Sequence, residues 1–451
     1  MLLERNREYV VEITGYTAEG AGVARVEGQV LFVPGAIVGE TCRVKVVKAK
    51  KSYGFGRVQE ILRASEHRIM PACPAFPQCG GCDFWHMDYA EELRFKEERV
   101  REAMERIGGF SELLQRPILG AHETGRYRNK AIFPVQGRNG ALVSGFYRPH
   151  SHDVVAHEDC LIQPKEINAL RDTVCAWARE FGIAPYEEGS GEGLLRHIFV
   201  RSGETGAVLC LIMAAKPPHL EQLVSRITEK HPNVSGVGLL RNSEPGNVIM
   251  GGRVVTLFGE TQLTDTLCGL RFRISPLAFY QVNHAQAERL YQTALAYAKL
   301  ERSQLALDLY CGAGTITLCL AQHAGKAIGV EVVPEAVEDA RANARLNGIE
   351  NAEFYCKDAG QAAAGLAAQG LTPDVIVVDP PRKGLDGEAV QAILSMAPAR
   401  VVYVSCDPGT LARDARLICE DGRYAVQELT PVDMFPRTRH VETCVKLERL
   451  P

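Results

Sequence analysis

No part of this chain approaches the roughly 20 consecutive apolar residues that a membrane-spanning helix needs, so no membrane partner is expected. The opening segment, MLLERNREYV, carries charge from its fourth residue and lacks the apolar centre of a secretory signal. The cytoplasm is therefore the expected location. Neither sign of charge dominates. The net charge of −4 gives no global attraction to nucleic acid and leaves only local patches to supply one. Internal repeats and low-complexity segments are absent, which excludes solenoids and disordered tails. The 14 cysteines lack the spacing of a secreted disulfide scaffold, so metal binding and catalysis are the better readings. The balance is that of an ordinary globular protein. It has 451 residues, 46% hydrophobic and 24% charged, room for about three domains with cores of their own. Nothing in the sequence calls for an obligate protein partner.

Residues 1–62 consist of β-branched runs cut by glycine turns, among them YVVEITGY, GVARVEGQVLFVPG and ETCRVKVVKAKK. Short strands at this density predict a small barrel of the oligonucleotide-binding type. Tyr53 and Phe55 lie beside Lys45, Lys48, Lys50, Lys51 and Arg57. Such a mixture fits a surface that stacks bases and holds phosphates, and equally a basic edge strand protected against aggregation. Residues 63–270 form a mixed region. Its clearest element is a helix over 88–108, where Leu93, Val100, Met104 and Ile107 recur at helical spacing. This helix is expected to pack on the domain that follows. VLCLIMAA is a continuous apolar run that fits a buried strand or a buried helix segment. Residues 271–451 alternate strand and helix, which implies a parallel sheet covered by helices.

The chemistry concentrates in that last region. Asp308-Leu309-Tyr310-Cys311-Gly312-Ala313-Gly314 ends its first strand, and the glycines let backbone approach a ligand where a helix opens. Glu331 ends the next strand, where a carboxylate accepts hydrogen bonds from ribose hydroxyls. The third glycine of a pyrophosphate loop is missing, since Thr315, Ile316 and Thr317 follow Gly314. A glycine turn and an acid without that loop suit an uncharged nucleoside such as S-adenosylmethionine. Asp358 is positioned for the adenine amine and Asp379 for the methyl end; either is otherwise a helix cap or turn residue. Cys406, in VVYVSCDPGTLARD, sits where a strand meets a turn, a place for a nucleophile. A lone cysteine is more often a small buried hydrophobe. Here LDLYCGAG, VDPPRKG and MFPRTRHVE accompany it within the same region. Upstream, Cys73, Cys79 and Cys82 have metal-like spacing and Cys160 completes four thiols. With His150, His152 and His157 nearby, a zinc site and a four-iron cluster both remain open on spacing alone.

Together, DLYCGAGTITL, VVDPPRKG, YVSCDPGTLARD, DMFPRTRHVE and ISPLAFYQVNHAQAERLY resemble the RNA uracil-5-methyltransferases. The resemblance covers nearly the whole chain. It implies an α/β Rossmann-like S-adenosylmethionine methyltransferase domain, an N-terminal TRAM-like β-barrel and a central α+β iron–sulfur domain. It makes Cys406 the nucleophile and Glu442 the base, in preference to His440. Cofactor contacts fall on Gln281, Tyr310, Gly312, Glu331, Asp358 and Asp379. Some relatives carry Asn at the position of Thr315. Cys73, Cys79, Cys82 and Cys160 match the iron–sulfur branch, which favours a [4Fe-4S] cluster over zinc and gives it a structural or RNA-positioning role. The nearest members methylate 23S ribosomal RNA, so that RNA or a ribosomal precursor is the expected partner. The transfer-RNA branch typically lacks the barrel and the cluster. Arg437, Arg439 or the helix opening at Gly409 would lower the thiol pKa, and Arg382 and Lys383 would meet phosphate. The rival readings are a radical enzyme, a cytosine methyltransferase and a silent RNA-binding assembly factor. The first lacks a C-x3-C-x2-C triplet here, the second a Pro before the thiol, and the third has no need of both Cys406 and Glu442.

Overall fold

The computed structural model describes residues 3–138, 140–244, 246 and 248–451. Its N-terminal strands close on themselves. Glu8–Glu12 pairs antiparallel with Thr41–Ala49, while the continuation Gly15–Tyr16 pairs with Gly22–Val26 at the other edge. Between them run Tyr53–Arg63 and Gln29–Val33. One bent strand thus occupies both edges, which makes the sheet a barrel. Alternate residues Cys42, Val44 and Val46 point inward onto Leu31 and Val33. Gly56 passes so close to this core that a Cβ would stand 2.2 Å from Val44 Cγ1.

The central sheet has seven strands, ordered Val154–Ala156, Ala141–Tyr147, Lys130–Arg138, Leu195–Gly203, Gly206–Met213, Val234–Arg241 and Val254–Gly259. All of the run VLCLIMAA but its two alanines lies in the strand Gly206–Met213, buried on both faces. Leu209 and Leu211 pack beneath the helices Lys165–Glu180 and Leu220–Lys230, and Val208, Cys210 and Ile212 fill the opposite face. Burial on both sides is what removed the alternation from its sequence.

The C-terminal sheet runs Ala352–Cys356, Lys326–Glu331, Leu305–Leu309, Val375–Val378, Arg400–Ser405, Glu442–Arg449, Tyr424–Val432, with Leu114–Gln115 added at the far edge. The first five strands are parallel; Glu442–Arg449 runs antiparallel between its two neighbours. Order reverses between Leu305–Leu309 and Val375–Val378, which opens a crevice above the carboxyl ends of those strands.

The helix predicted over 88–108 is an α-helix from Tyr89 to Ala103, capped by Asp88, and a π turn over Met104–Gly108. It packs against the C-terminal sheet and the helix Pro408–Cys419. Its buried face is not the one its apolar residues predict. Val100 and Met104 are buried, but Ile107 is 46% exposed and Leu93 only half-buried. Glu92, Phe95 and Lys96 occupy the interior instead. The Lys96 ammonium donates to Glu92 Oε1 at 2.7 Å, Asp433 Oδ1 at 2.6 Å and the Phe435 carbonyl at 3.2 Å. Tyr89 donates to the other Asp433 oxygen at 2.7 Å. A charged side chain is tolerated inside because each formal charge has a partner.

Replacing Lys96 by Met would strand two buried carboxylates. It is expected to cost about 3–5 kcal/mol of stability, read as a lowered denaturant midpoint with an unchanged slope.

Candidate active site

Six adjacent strands of the C-terminal sheet, in spatial order, deliver a polar group to the same edge. Asp358 follows the strand Ala352–Cys356 and Glu331 ends Lys326–Glu331. Asp308 lies in Leu305–Leu309, Asp379 follows Val375–Val378, and Cys406 follows Arg400–Ser405. Glu442 opens the returning strand. Glu331, Asp358, Asp379, Cys406 and Glu442 line one cavity of about 920 Å³, together with Gln281, Tyr310 and Gly312. That volume lies within the range of sites that enclose a small-molecule cofactor.

The glycine loop is built for close approach. Tyr310 takes a left-handed φ of 72°, and Gly312 and Gly314 follow at 54° and 81°. At Gly314 a Cβ would meet Ala340 at 2.9 Å and the Phe354 ring at 3.1 Å, so both the backbone and the space require glycine. Gly312 N donates to Glu331 Oε2 at 3.0 Å, and Val332 N and Val333 N donate to Oε1 at 2.8 and 3.0 Å. The Glu331 carboxylate is thus oriented before any ligand arrives. Asp358 caps the helix Ala359–Ala368 through Gly360 N at 3.1 Å and also lines the cavity.

Cys406 and Glu442 stand across one strand pair. Ser405 is registered opposite Thr443 in the antiparallel ladder, so the next residues outward, Cys406 and Glu442, face each other at the mouth. Burial pushes the Cys406 thiol up to about 11, with the negative charges of Glu442 and Asp379 adding to it and Arg382 opposing. Burial likewise raises Glu442 to about 8 and Asp379 to about 7. The thiol is followed at once by the helix Pro408–Cys419, whose cap is Asp407. The cation that favours the thiolate is Arg382. Arg437 and Arg439, expected in that role, are engaged elsewhere. Arg437 lies 5.0 Å from the Trp85 ring centre and donates to Thr124 Oγ1, and Arg439 pairs with Asp83. Burial, with Arg382 and Arg439, holds His440 down to about 4. Arg382 and Lys383 are exposed at the cavity rim.

Several lining residues were not singled out from sequence. Phe279 is 68% exposed at the cavity; its place two residues before Gln281 was the available signal. Arg128 and Lys130 line the same space from YRNKAIFPV, and burial lowers Lys130 to about 8. Asp308 is fully buried, accepts from Thr317 Oγ1 at 2.6 Å and is raised to about 8 by burial.

Cys73, Cys79, Cys82 and Cys160 all line the same cavity and all are free thiols. The expected iron–sulfur domain is nonetheless not what the structure shows. Among the described residues, no three His, Cys, Asp or Glu are grouped to hold a metal ion. His150 and His152 are exposed, and His157 contacts Arg171 at 3.1 Å. Burial raises the thiol pKa of Cys79, Cys82 and Cys160, the last to about 11, and nearby N–H donors oppose that rise. The buried Trp85 indole N–H is directed at the Cys82 sulfur. Gly81 N donates to Cys79 Sγ at 3.4 Å, and the amides of Ile162 and Gln163 face the Cys160 sulfur.

Residues 261–450 match the tRNA (Uracil-5-)-methyltransferase family, and residues 3–59 match the TRAM domain. An uncharacterized RNA methyltransferase of Halalkalibacterium halodurans is 46% identical over 448 residues, covering 98% of each chain. One from Oceanobacillus iheyensis is 41% identical over 99% of this chain and 97% of its own. Among solved structures, the Pyrococcus abyssi tRNA (uracil-54, C5)-methyltransferase in complex with S-adenosyl-L-homocysteine superposes with a TM-score of 0.77. It covers 97% of this chain and 99% of its own at 24% identity. No described helix is long and apolar enough to cross a membrane. The chain belongs to the tRNA (uracil-5-)-methyltransferase family, as an S-adenosylmethionine-dependent RNA methyltransferase with an N-terminal TRAM domain.

Proposed function

We propose that this protein transfers the methyl group of S-adenosylmethionine to C5 of a uridine in 23S ribosomal RNA, with Cys406 as nucleophile and Glu442 as base. The observation that carries the chemistry is the facing of thiol and carboxyl across one strand pair beside the cofactor loop. The Cys406 thiolate adds to C6 of uracil, and the electron pair moves through C5 to the O4 enolate. C5 then attacks the methyl carbon, and the C–S bond breaks to leave neutral S-adenosylhomocysteine. Glu442 takes the proton from C5, the C5–C6 double bond re-forms and the thiolate departs. Glu442 is well matched to this task, since burial moves it from the ordinary carboxylate range to about 8. The target base must leave its stack to reach these groups.

Cys73, Cys79, Cys82 and Cys160 would hold a [4Fe-4S] cluster. The support is four thiols on one cavity, with backbone amides and the Trp85 indole N–H facing sulfur. Methyl transfer moves no net electron, so the cluster would supply rigidity to the segment that carries it. Gln281, Tyr310, Gly312, Glu331, Asp358 and Asp379 would hold the cofactor.

The ribosomal substrate rests on the four-cysteine and TRAM organisation. A transfer-RNA substrate is the second reading, favoured by the whole-chain match to the Pyrococcus enzyme. Methyl-labelled S-adenosylmethionine, offered with unmodified ribosomal and transfer RNA, decides between them after digestion. Labelled 5-methyluridine in 23S RNA is expected; the same nucleoside in transfer RNA alone would overturn the substrate.

Cys406→Ala is expected to abolish methylation while retaining cofactor affinity, and Glu442→Gln to accumulate a denaturant-stable protein–RNA adduct visible by gel shift. Asp379 is neutral below about 7 and anionic above it, and only the anion stabilises the sulfonium. The ratio of S-adenosylmethionine to S-adenosylhomocysteine affinity should therefore rise from pH 6 to 8, roughly tenfold per unit by which the cation lowers that acid. Titration calorimetry should find the ratio flat in Asp379→Asn. On the barrel, Phe32, Tyr53 and Phe55 form a half-exposed cluster with ring centres 5.5–5.8 Å apart. Tyr53→Ala and Phe55→Ala should each weaken RNA binding by about 1–3 kcal/mol if a base stacks there, measured by filter binding.

A further inference from the structure

The segment leading into Glu442, Asp433 to Val441, has no regular structure of its own. Its shape must come from what grips it. From one side Lys96 holds the Phe435 carbonyl, Arg99 Nη1 donates to the Arg439 carbonyl at 2.6 Å, and Tyr127 donates to the Pro436 carbonyl at 2.9 Å. From the other side the grip belongs to one residue and its neighbour. Asp83 N and Phe84 N both donate to the Arg437 carbonyl, at 2.8 and 3.0 Å. The Asp83 carboxylate accepts from Arg439 N at 3.0 Å and from Arg439 Nη1 at 3.0 Å. Between these two anchors the backbone turns through Arg437 at φ 70°, a left-handed conformation that a non-glycine residue keeps only when its surroundings enforce it. Thr438 and His440, on the gripped stretch, line the cavity with Glu442.

Asp83 directly follows Cys82, and Cys82 lines the same cavity. The four-cysteine segment and the base-bearing strand therefore meet through Asp83 and its neighbours Phe84 and Trp85.

We infer that Asp83 is a positioning residue for Glu442: by clamping Arg437 and Arg439 it fixes the segment leading into the base and sets the rate at which the covalent RNA adduct resolves. The inference rests on the methyl-transfer reading above. Cys406 is placed by a different strand and helix, to which Arg99 rather than Asp83 ties the clamped segment.

The test is single-turnover methylation by the full chain, purified anaerobically, comparing wild type, Asp83→Asn and Asp83→Ala. Adduct formation and its decay to free 5-methyluridine RNA are followed separately, beside S-adenosylhomocysteine affinity and iron content. In Asp83→Ala, adduct decay should slow about ten- to a hundredfold, the scale expected when a reacting group is misplaced by about 1 Å. Adduct formation, iron content and cofactor affinity should change less than about twofold on the same ground. Asn keeps an oxygen for Arg439 N and should restore part of the decay rate. Decay at the wild-type rate in Asp83→Ala would overturn the inference. So would equal losses in adduct formation, cofactor affinity and decay, which would mark Asp83 as a general support of the fold. A wild-type chain that forms no 5-methyluridine would overturn the parent reading and this inference with it.

Discussion

The structure depends on one buried ammonium. Lys96 sits between Glu92 and Asp433 with no exposed surface, and its third bond goes to the Phe435 carbonyl. These contacts tie a helix from the middle of the chain to the segment that delivers Glu442. A buried ion pair of this kind contributes little net stability compared with packed hydrocarbon, but it is intolerant of rearrangement, because any shift leaves charge uncompensated. It therefore acts as a register pin. Helix and loop meet in one alignment, and Arg99, three residues on, reaches the Arg439 carbonyl and lies 3.9 Å from Asp407 beside Cys406.

The second organising constraint is electrostatic. The carboxyl edge of the sheet gathers Asp358, Glu331, Asp308, Asp379 and Glu442, and burial raises the last three well above the ordinary carboxylate range. Such a row is costly to ionise in an empty cavity. It suits a cofactor that brings a positive charge and leaves without it. The same acids oppose ionisation of the Cys406 thiol, with Arg382 the countervailing cation. A ligand that brings positive charge to this row would also favour the Cys406 thiolate through the same field.

Local chemistry was readable wherever it was local. Gly314 had to be glycine for both φ and space, and Glu331 sits at a strand end where backbone amides orient it. The strand nature of VLCLIMAA was left open by its pattern, because a strand covered on both faces loses alternation. The helix over 89–103 was legible as a helix but not in its buried face. Lys96 and Glu92 read as solvent-facing charge, since the carboxylate that makes their burial tolerable lies far along the chain at Asp433. For the same reason Arg437 and Arg439, expected to act on the thiol, proved to be occupied by Trp85 and Asp83, and Arg382 proved to be the cation that acts on it.

The sequence by itself determined the parts: a barrel of short strands, an alternating α/β region, a glycine loop, a thiol at a strand end, four upstream cysteines. These follow from periodicity, turn chemistry and residue type, which act over a few residues. Tertiary structure alone decided how the parts face one another. The antiparallel return strand inserted beside Arg400–Ser405 is what sets Glu442 opposite Cys406, and the cysteine segment meets the loop before Glu442 through Asp83 and Phe84. Those relations join residues distant in the chain, and they are selected by burial and charge pairing in three dimensions, for which a linear pattern carries no period.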